Sequence, residues 1–566
     1  MRTITTSDIG ASRSRSLGSV RSRVVVTVAL FCIGFAALSV RVIDLGISAQ
    51  AVHWSGKIQA DDGKSPARAD IVDRNGVLLA TDLTTISLFA KPRLVDDPKE
   101  VAIKIASVID GVNVGVLTKR LSSKASFVWL KRKLTPGEQN AVNRLGIPGV
   151  EFQDEIQRLY PQGNLAAHII GFNNIDNKGL SGIERAYDEE LQDRAALNEA
   201  LQLSIDTRVQ HALHEELNSA MTQFSAIGGA GIVLDVRTGE VLAMASLPDF
   251  NPNDPGDAAS KSEYLNRAAQ GVYEMGSTFK TFTMAMALEH GIAGMSDSYD
   301  ATRPIHISRF TIRDDHPKAR WLNLPEIFMY SSNIGSAKIA VDADEGVQKQ
   351  FLQSLGLLNR PDFELPETGT PIVPERWRNV QSMTVAYGHG IAVSGLQLAN
   401  GVASLVNGGV FRQPTLLASS SRDQEFDEGS KRVISEDTSY KIRGLMRLVV
   451  EKGTGRNADA PGYLVGGKTG TAEKSGYGGY RKNALITSFV AAFPITDPRY
   501  VVFVMLDEPR GNEATYGLSS AGWTAAPIIR NLVPRIAPLL GVAPSKEDTH
   551  PLTRELVRMV SPEVRS

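Results

Sequence analysis

Between Val24 and Val40 the chain carries no charge, and the residues before this run hold Arg2, Arg13, Arg15, Arg21 and Arg23 against the single acid Asp8. As a helix these 17 residues cover about 26 Å, and the continuing flank VIDLGI extends the span toward the roughly 30 Å of a bilayer core. An arginine-rich leading end stays in the cytoplasm, so everything from about residue 48 onward is expected on the far side. The reading is one uncleaved single-pass transmembrane anchor over 24–47 behind a cytoplasmic tail, 1–23. A cleaved signal peptide is the rival, because Ala49-Gln50-Ala51 has the small-x-small form of a cleavage site.

The remaining chain is long enough for several domains with sizeable cores, since it totals 566 residues, 42% of them hydrophobic. With 61 Lys plus Arg against 62 Asp plus Glu, there is no basic field to hold nucleic acid, which is excluded as a partner class. One cysteine, Cys32, rules out an intrachain disulfide and a thiolate zinc site. Residues 48–225 read as a mixed, polar, elongated module of weak catalytic chemistry. Asn75-Gly76 between apolar runs predicts a type I′ hairpin there, with polar helices from about Asp97 to Arg144. At 226 the character changes: GGAGIVLDV, a turn and EVLAMAS predict two strands of an antiparallel sheet, with later strands at 484–495 and 499–506. TFTMAMALEHG at 281–291 predicts a buried helix ending at a glycine. The polar segment 541–566 is expected to be a mobile tail.

Three chemistries compete. Gly462 to Thr469, GYLVGGKT, fits a phosphate-binding loop letter for letter, with VVFVMLDE at 501–508 resembling a magnesium-binding strand. The physics of that loop needs a strand before it and a helix after it; RNADAPG precedes and the glycine-rich TGTAEKSGYGGY follows, so the match is set aside. His211 and His214 could share a helix face and offer two metal ligands, but the spacing is not that of a zinc-protease helix, and a solvated face is the simpler account. No metal site is expected. The third is an activated serine. Ser277-Thr278-Phe279-Lys280 is the only Ser-x-x-Lys in the chain and opens the apolar helix, which puts a lysine amine beside a serine hydroxyl at a helix start. Chance alone supplies about two such spacings in a chain of this size, so the motif needs company. Ser331-Ser332-Asn333 adds a hydroxyl that can relay a proton and an amide that can bind a peptide carbonyl or the lysine. Lys468-Thr469-Gly470-Thr471 adds a cation and hydroxyls for a carboxylate, with Gly470 letting a substrate backbone approach a strand edge.

Ser-x-x-Lys, Ser-x-Asn and Lys-Thr-Gly, in this order, resemble the serine acyltransferases that include penicillin-binding proteins and class A β-lactamases. The class B penicillin-binding proteins are most similar, through IVDRNGVLLA (71–80), RLYPQGNLAAHIIGF (158–172), LQLSIDTRVQ (201–210), the 228–253 segment, NRAAQGVYEMGSTFK (266–280) and AYGHGIAVSGLQLANG (386–401). YEMGSTFK and YGHGIAVSGLQLA look most like the septal, cell-division branch, although Met275 stands where many members have proline and Ser394-Gly395 replaces a common Thr-Pro.

The resemblance implies an α+β fold: a pedestal or dimerisation-type domain at 48–225, then a transpeptidase domain at 226–540 whose antiparallel sheet is flanked by helices. It implies a catalytic set of Ser277 as nucleophile, Lys280 as its base, and Ser331 with Lys468 to carry the proton to the leaving amine. Asn333, Thr469, Gly470 and Thr471 would bind substrate, and the amides of Ser277 and Thr471 would hold the oxyanion. The implied reaction is penicillin-sensitive D,D-transpeptidation of peptidoglycan stem peptides without cofactor or metal. The implied setting is the inner membrane, catalytic domain in the periplasm, beside a membrane-embedded glycan polymerase and other division proteins. A β-lactamase, a penicillin-sensing receptor and an elongation-type transpeptidase share parts of this pattern. The long spacer and anchor argue against the first, and the short leader of 23 residues against the second.

Overall fold

The computed structural model describes residues 67–560, apart from 257–261, 308–309, 420–429, 477–478 and 547–548. The apolar run at 24–40, its arginine-rich leader and the Ala49-Gln50-Ala51 segment lie outside the described residues. Among those that are described, no helix is long and apolar enough to cross a membrane.

The N-terminal part is organised by the Leu78–Ala90 strand, which pairs antiparallel with Ile71–Val72, Val128–Leu134 and Val150–Leu159. The hairpin at Asn75-Gly76 forms, but its turn is not type I′. Of the two central residues only Gly76 has a positive φ, 83°. Asp73 shapes the turn instead: its side chain accepts from the amides of Asn75 (2.7 Å) and Val77 (2.8 Å), and its carbonyl accepts from Gly76 (3.0 Å). A type I turn closed by a left-handed glycine satisfies the same strand twist with one special residue rather than two. Helices Pro98–Ala106 and Val114–Leu121 start at Asp97 and Asn113, whose side chains cap the first amides. They bury Val101, Ala102, Ile105, Leu117 and Leu121 against Leu88 and Leu130. The expected helical stretch is interrupted by the Val128–Leu134 strand, where Lys131-Arg132-Lys133 masks the two-residue alternation that a strand would show.

A fully buried carboxylate ties this region together. Glu184 accepts from Arg68 Nε (2.8 Å) and Arg158 Nε (2.7 Å), and Arg158 also reaches Asp82 (3.0 Å). Removing either partner would strand a buried charge, which is why such groups occur only as complete networks.

The C-terminal part is built on a five-stranded antiparallel sheet in the order Gly466–Gly476, Gly479–Phe493, Tyr500–Asp507, Gly228–Asp235, Val241–Leu247. The Tyr500–Asp507 strand is buried on both faces, so it reads as an unbroken apolar run. Val501, Phe503 and Met505 join the core that contains helices Lys280–Glu289, Gly395–Val406 and Glu436–Lys452. Val502, Val504 and Leu506 pack on the other side against Thr207–Phe224 and Ala526–Ile536. Burying one side chain such as Phe503 contributes about 1.5–3 kcal/mol. The helix expected at 281–291 spans Lys280–Glu289, followed by Gly291 at φ 66°.

The polar tail is a correction. Residues Pro551–Met559 form a helix docked on Glu436–Lys452: Leu556 is fully buried, and Thr553 donates to the Gly444 carbonyl at 2.9 Å. Leu552, Leu556 and Val560 recur every four residues and make one apolar stripe, hidden in the sequence among prolines and charges.

Candidate active site

Gly276–Phe279 forms a 3-10 turn that runs straight into the Lys280–Glu289 helix. In such a turn residues three apart eclipse, and this brings Lys280 Nζ to 3.0 Å from Ser277 Oγ. Lys280 is completely buried and Ser277 half-buried, so the serine is the solvent-accessible member of the pair.

The second motif comes from the end of the Leu324–Tyr330 helix, where Ser331 takes a left-handed conformation (φ 63°), and from the start of the Asn333–Asp342 helix, capped by the Ser332 side chain. The reversal points both motif side chains at the lysine. Lys280 Nζ lies 2.5 Å from the Ser331 carbonyl, 2.7 Å from Asn333 Oδ1 and 3.0 Å from Ser331 Oγ. Burial lowers the Lys280 pKa to about 7, the charges of Asp314 and Asp315 opposing the shift. A neutral lysine has two hydrogens and one lone pair. The Ser331 carbonyl and Asn333 Oδ1 can only accept, so they take the two hydrogens and leave the lone pair for a hydroxyl, that of Ser277 or of Ser331, each at 3.0 Å.

The third motif lies on the Gly466–Gly476 edge strand, in register with Gly479–Phe493 (Lys468 opposite Val490). Lys468 Nζ sits 3.0 Å from Ser331 Oγ, so Ser331 lies between two amines. The cation expected to meet a substrate carboxylate is in fact fully buried, 5.7 Å from the Phe328 ring centroid. Burial, then the charge of Lys280, pushes its pKa well below the ordinary lysine range. The hydroxyls of the motif are those of Thr469 and Thr471. Thr469 Oγ1 bonds Thr454 Oγ1 at 2.8 Å, and Thr471 Oγ1 accepts from the Ala521 amide at 3.1 Å. Glycines let the first and third motifs touch: a Cβ on Gly470 would meet the Met275 carbonyl at 2.5 Å, and one on Gly276 would meet the Thr471 carbonyl at 2.7 Å.

The structure therefore gathers Ser277, Lys280, Ser331, Asn333, Lys468 and Thr469 into one hydrogen-bonded chain, with Gly470 and Thr471 alongside. Of the partners open to Asn333, its carbonyl takes the lysine, and its Nδ2 donates to the Arg313 carbonyl at 2.8 Å. Sequence reasoning missed Asp314 and Thr454, because neither belongs to a motif and only tertiary contact brings them in.

The competing chemistries do not assemble. The phosphate-loop match runs from a turn at Gly462 into the Gly466–Gly476 strand, its lysine is buried, and the element that follows is a second strand rather than a helix. His214 bonds Asp249 at 2.7 Å while His211 approaches Glu215 at 3.5 Å. Among the described residues no three His, Cys, Asp or Glu side chains gather as metal ligands.

Comparison with known proteins agrees with this geometry. The penicillin binding protein transpeptidase domain matches residues 229–530 and the penicillin-binding protein dimerisation domain matches 63–201. The probable peptidoglycan D,D-transpeptidase FtsI of Caulobacter vibrioides is 40% identical over 94% of this chain and 90% of its own length. The peptidoglycan D,D-transpeptidase FtsI of Escherichia coli K12 is 30% identical over 81% of this chain and 82% of its own. In fold, the crystal structure of penicillin binding protein 3 from Mycobacterium tuberculosis complexed with aztreonam superposes with a TM-score of 0.66 at 24% identity, covering 86% of this chain and 99% of that one. A dimerisation domain followed by a transpeptidase domain, and relatives this similar over nearly the whole length, make the chain a member of the class B penicillin-binding protein family.

Proposed function

We propose that the chain is a serine-type peptidoglycan D,D-transpeptidase. The observation that carries this reading is the Lys280 amine, 3.0 Å from Ser277 Oγ, with its other near neighbours, the Ser331 carbonyl and hydroxyl and Asn333 Oδ1, all uncharged oxygens. Its lone pair takes the Ser277 proton as Oγ attacks the carbonyl of the penultimate D-alanine. The amides of Ser277 and Thr471 face the developing oxyanion, and Thr469 and Thr471 receive the terminal carboxylate. The C–N bond then breaks, and the proton passes through Ser331, backed by Lys468, to the departing D-alanine amine. An amine of a second stem attacks the ester, releases Ser277 and closes the cross-link. β-Lactams acylate Ser277 as mimics of the same donor.

Acylation should follow the Lys280 proton. Only the neutral amine acts as base, and its pKa is lowered to about 7, so the acylation rate constant should rise with pH through that value and fall below it. Penicillin acylation rates of the full chain across pH give the profile. A limb near 10, where an ordinary lysine titrates, would remove Lys280 from the role.

The septal assignment rests on the two FtsI relatives, and the membrane setting on the Val24–Val40 run with its preceding arginines. In this reading 48–225 is the pedestal, 226–540 the catalytic domain, and the partners are a membrane-embedded glycan polymerase and other division proteins. Depletion should give filaments; spheres would assign the chain to elongation.

A further inference from the structure

Asp314 lies outside all three motifs, on the loop that follows the Phe310–Ile312 strand, yet it grips the second motif at two points. Ser332 Oγ donates to Asp314 Oδ2 at 2.7 Å, and the Ile334 amide donates to Asp314 Oδ1 at 2.9 Å. One residue earlier, the Arg313 carbonyl accepts from Asn333 Nδ2 at 2.8 Å. Two residues of the motif, Ser332 and Asn333, and Ile334 directly after it are therefore held by two consecutive residues of one loop. Those contacts fix the turn on which Ser331 is left-handed and Asn333 Oδ1 meets Lys280. The same carboxylate bears on the site's charge. Among the described residues neither Lys280 nor Lys468 forms an ion pair, and the negative charges bearing on Lys280 are those of Asp314 and, after it, Asp315.

Building on the transpeptidase reading, we infer that Asp314 is a positioning residue for acylation: its carboxylate locks the Ser331–Asn333 turn onto Lys280 and supplies the negative charge that the amine cluster lacks. It acts through Ser332, Ile334 and the field at Lys280 rather than by touching substrate. Several groups face Lys280 from different elements: Lys468 on the edge strand, Asp314 and Asp315 on the loop, and His389 on the 386–391 loop, itself influenced by Glu274. Of the acids among these, only Asp314 also bonds the motif, at the Ser332 side chain, and the backbone directly after it, at the Ile334 amide.

Alanine and asparagine separate the two duties. Asparagine keeps an acceptor for the Ile334 amide and can donate to Ser332 Oγ, but it carries no charge. Alanine loses both duties. Penicillin acylation of the full chain would be followed across pH for the parent, Asp314→Ala, Asp314→Asn and Asp315→Asn, with thermal melting alongside. Asp314→Ala should lower the plateau rate by about 10–100-fold, the usual cost of a loosened supporting shell. Asp314→Asn should keep most of the plateau but move the acidic limb to lower pH, because losing the acid favours the neutral amine. Asp315→Asn should leave the plateau unchanged and move the limb less. A plateau for Asp314→Ala within twofold of the parent would overturn the inference, as would a fall matched by lost folded protein with no limb movement in Asp314→Asn. A parent chain that is not acylated at all would instead remove the transpeptidase reading, and this inference with it.

Discussion

Ser277→Ala should abolish covalent labelling by penicillin while the protein stays folded. The Ser277 side chain bonds Lys280, so the change costs about 0.5–1.5 kcal/mol, a few degrees of melting temperature at most. What it removes is the atom to which the acyl group attaches, and no neighbouring group replaces it. Ser331 Oγ, within 3.0 Å of both lysines, is a relay in the proposed mechanism rather than the nucleophile. Ser331→Ala should therefore slow labelling by about 10²–10⁴, the worth of proton-transfer assistance, without eliminating it. A gel with a fluorescent penicillin and a melting curve on the same samples distinguishes the two variants. Labelling that survives Ser277→Ala but vanishes in Ser331→Ala would exchange their roles.

Lys280→Met should be nearly as severe for acylation, at least about 10²-fold, and still mild for stability. Methionine fills a similar unbranched volume without an amine, so Ser277 loses its base and keeps its place. Two stability effects oppose each other. The Ser331 carbonyl and Asn333 Oδ1 lose a donor, at about 1–3 kcal/mol for buried groups left unsatisfied. Against this, the folded pKa of Lys280 lies near 7, below its unfolded value, so the unfolded chain binds more protons between there and about 10.4. Stability from this group consequently rises with pH across that window, and at neutral pH the buried lysine is a cost that methionine lifts. Melting temperature measured at pH 7 and at pH 9 should show the variant losing relatively more at the higher pH. Acylation by Lys280→Met at the parent rate would contradict the base assignment.

Much of the fold could be read locally. The strands around Gly228–Asp235 and Tyr500–Asp507 and the helix after Ser277 carry apolar runs or periodicities confined to a few residues, and these are legible without knowledge of neighbours. The order of the three motifs likewise named the site before its geometry was known. What stayed hidden depends on contacts between distant segments. Glu184 is a surface-like letter until Arg68 and Arg158 close on it, and the Val128–Leu134 strand looks helical until Lys131 and Arg132 are seen to pair with Glu138 and Glu155 beside a paired edge. Lys468 reads as a substrate-facing cation, yet the Phe328 ring and a second lysine surround it, which no local pattern announces. Asp314 reads as one acid in an exposed Asp-Asp-His run, and only the turn of Ser331 to Asn333 brings the motif to it.

The central claim is that donor peptide is held as an ester on Ser277. A D-alanyl-D-alanine thioester analogue mixed with the full chain and quenched in acid, followed by mass mapping of the digested protein, tests it directly. The acyl group should be found on the peptide containing Ser277, and it should disappear when a D-amino acid acceptor is added before the quench. An adduct on the peptide containing Ser331, or turnover of the thioester with no protein-bound acyl group at any time, would contradict the account.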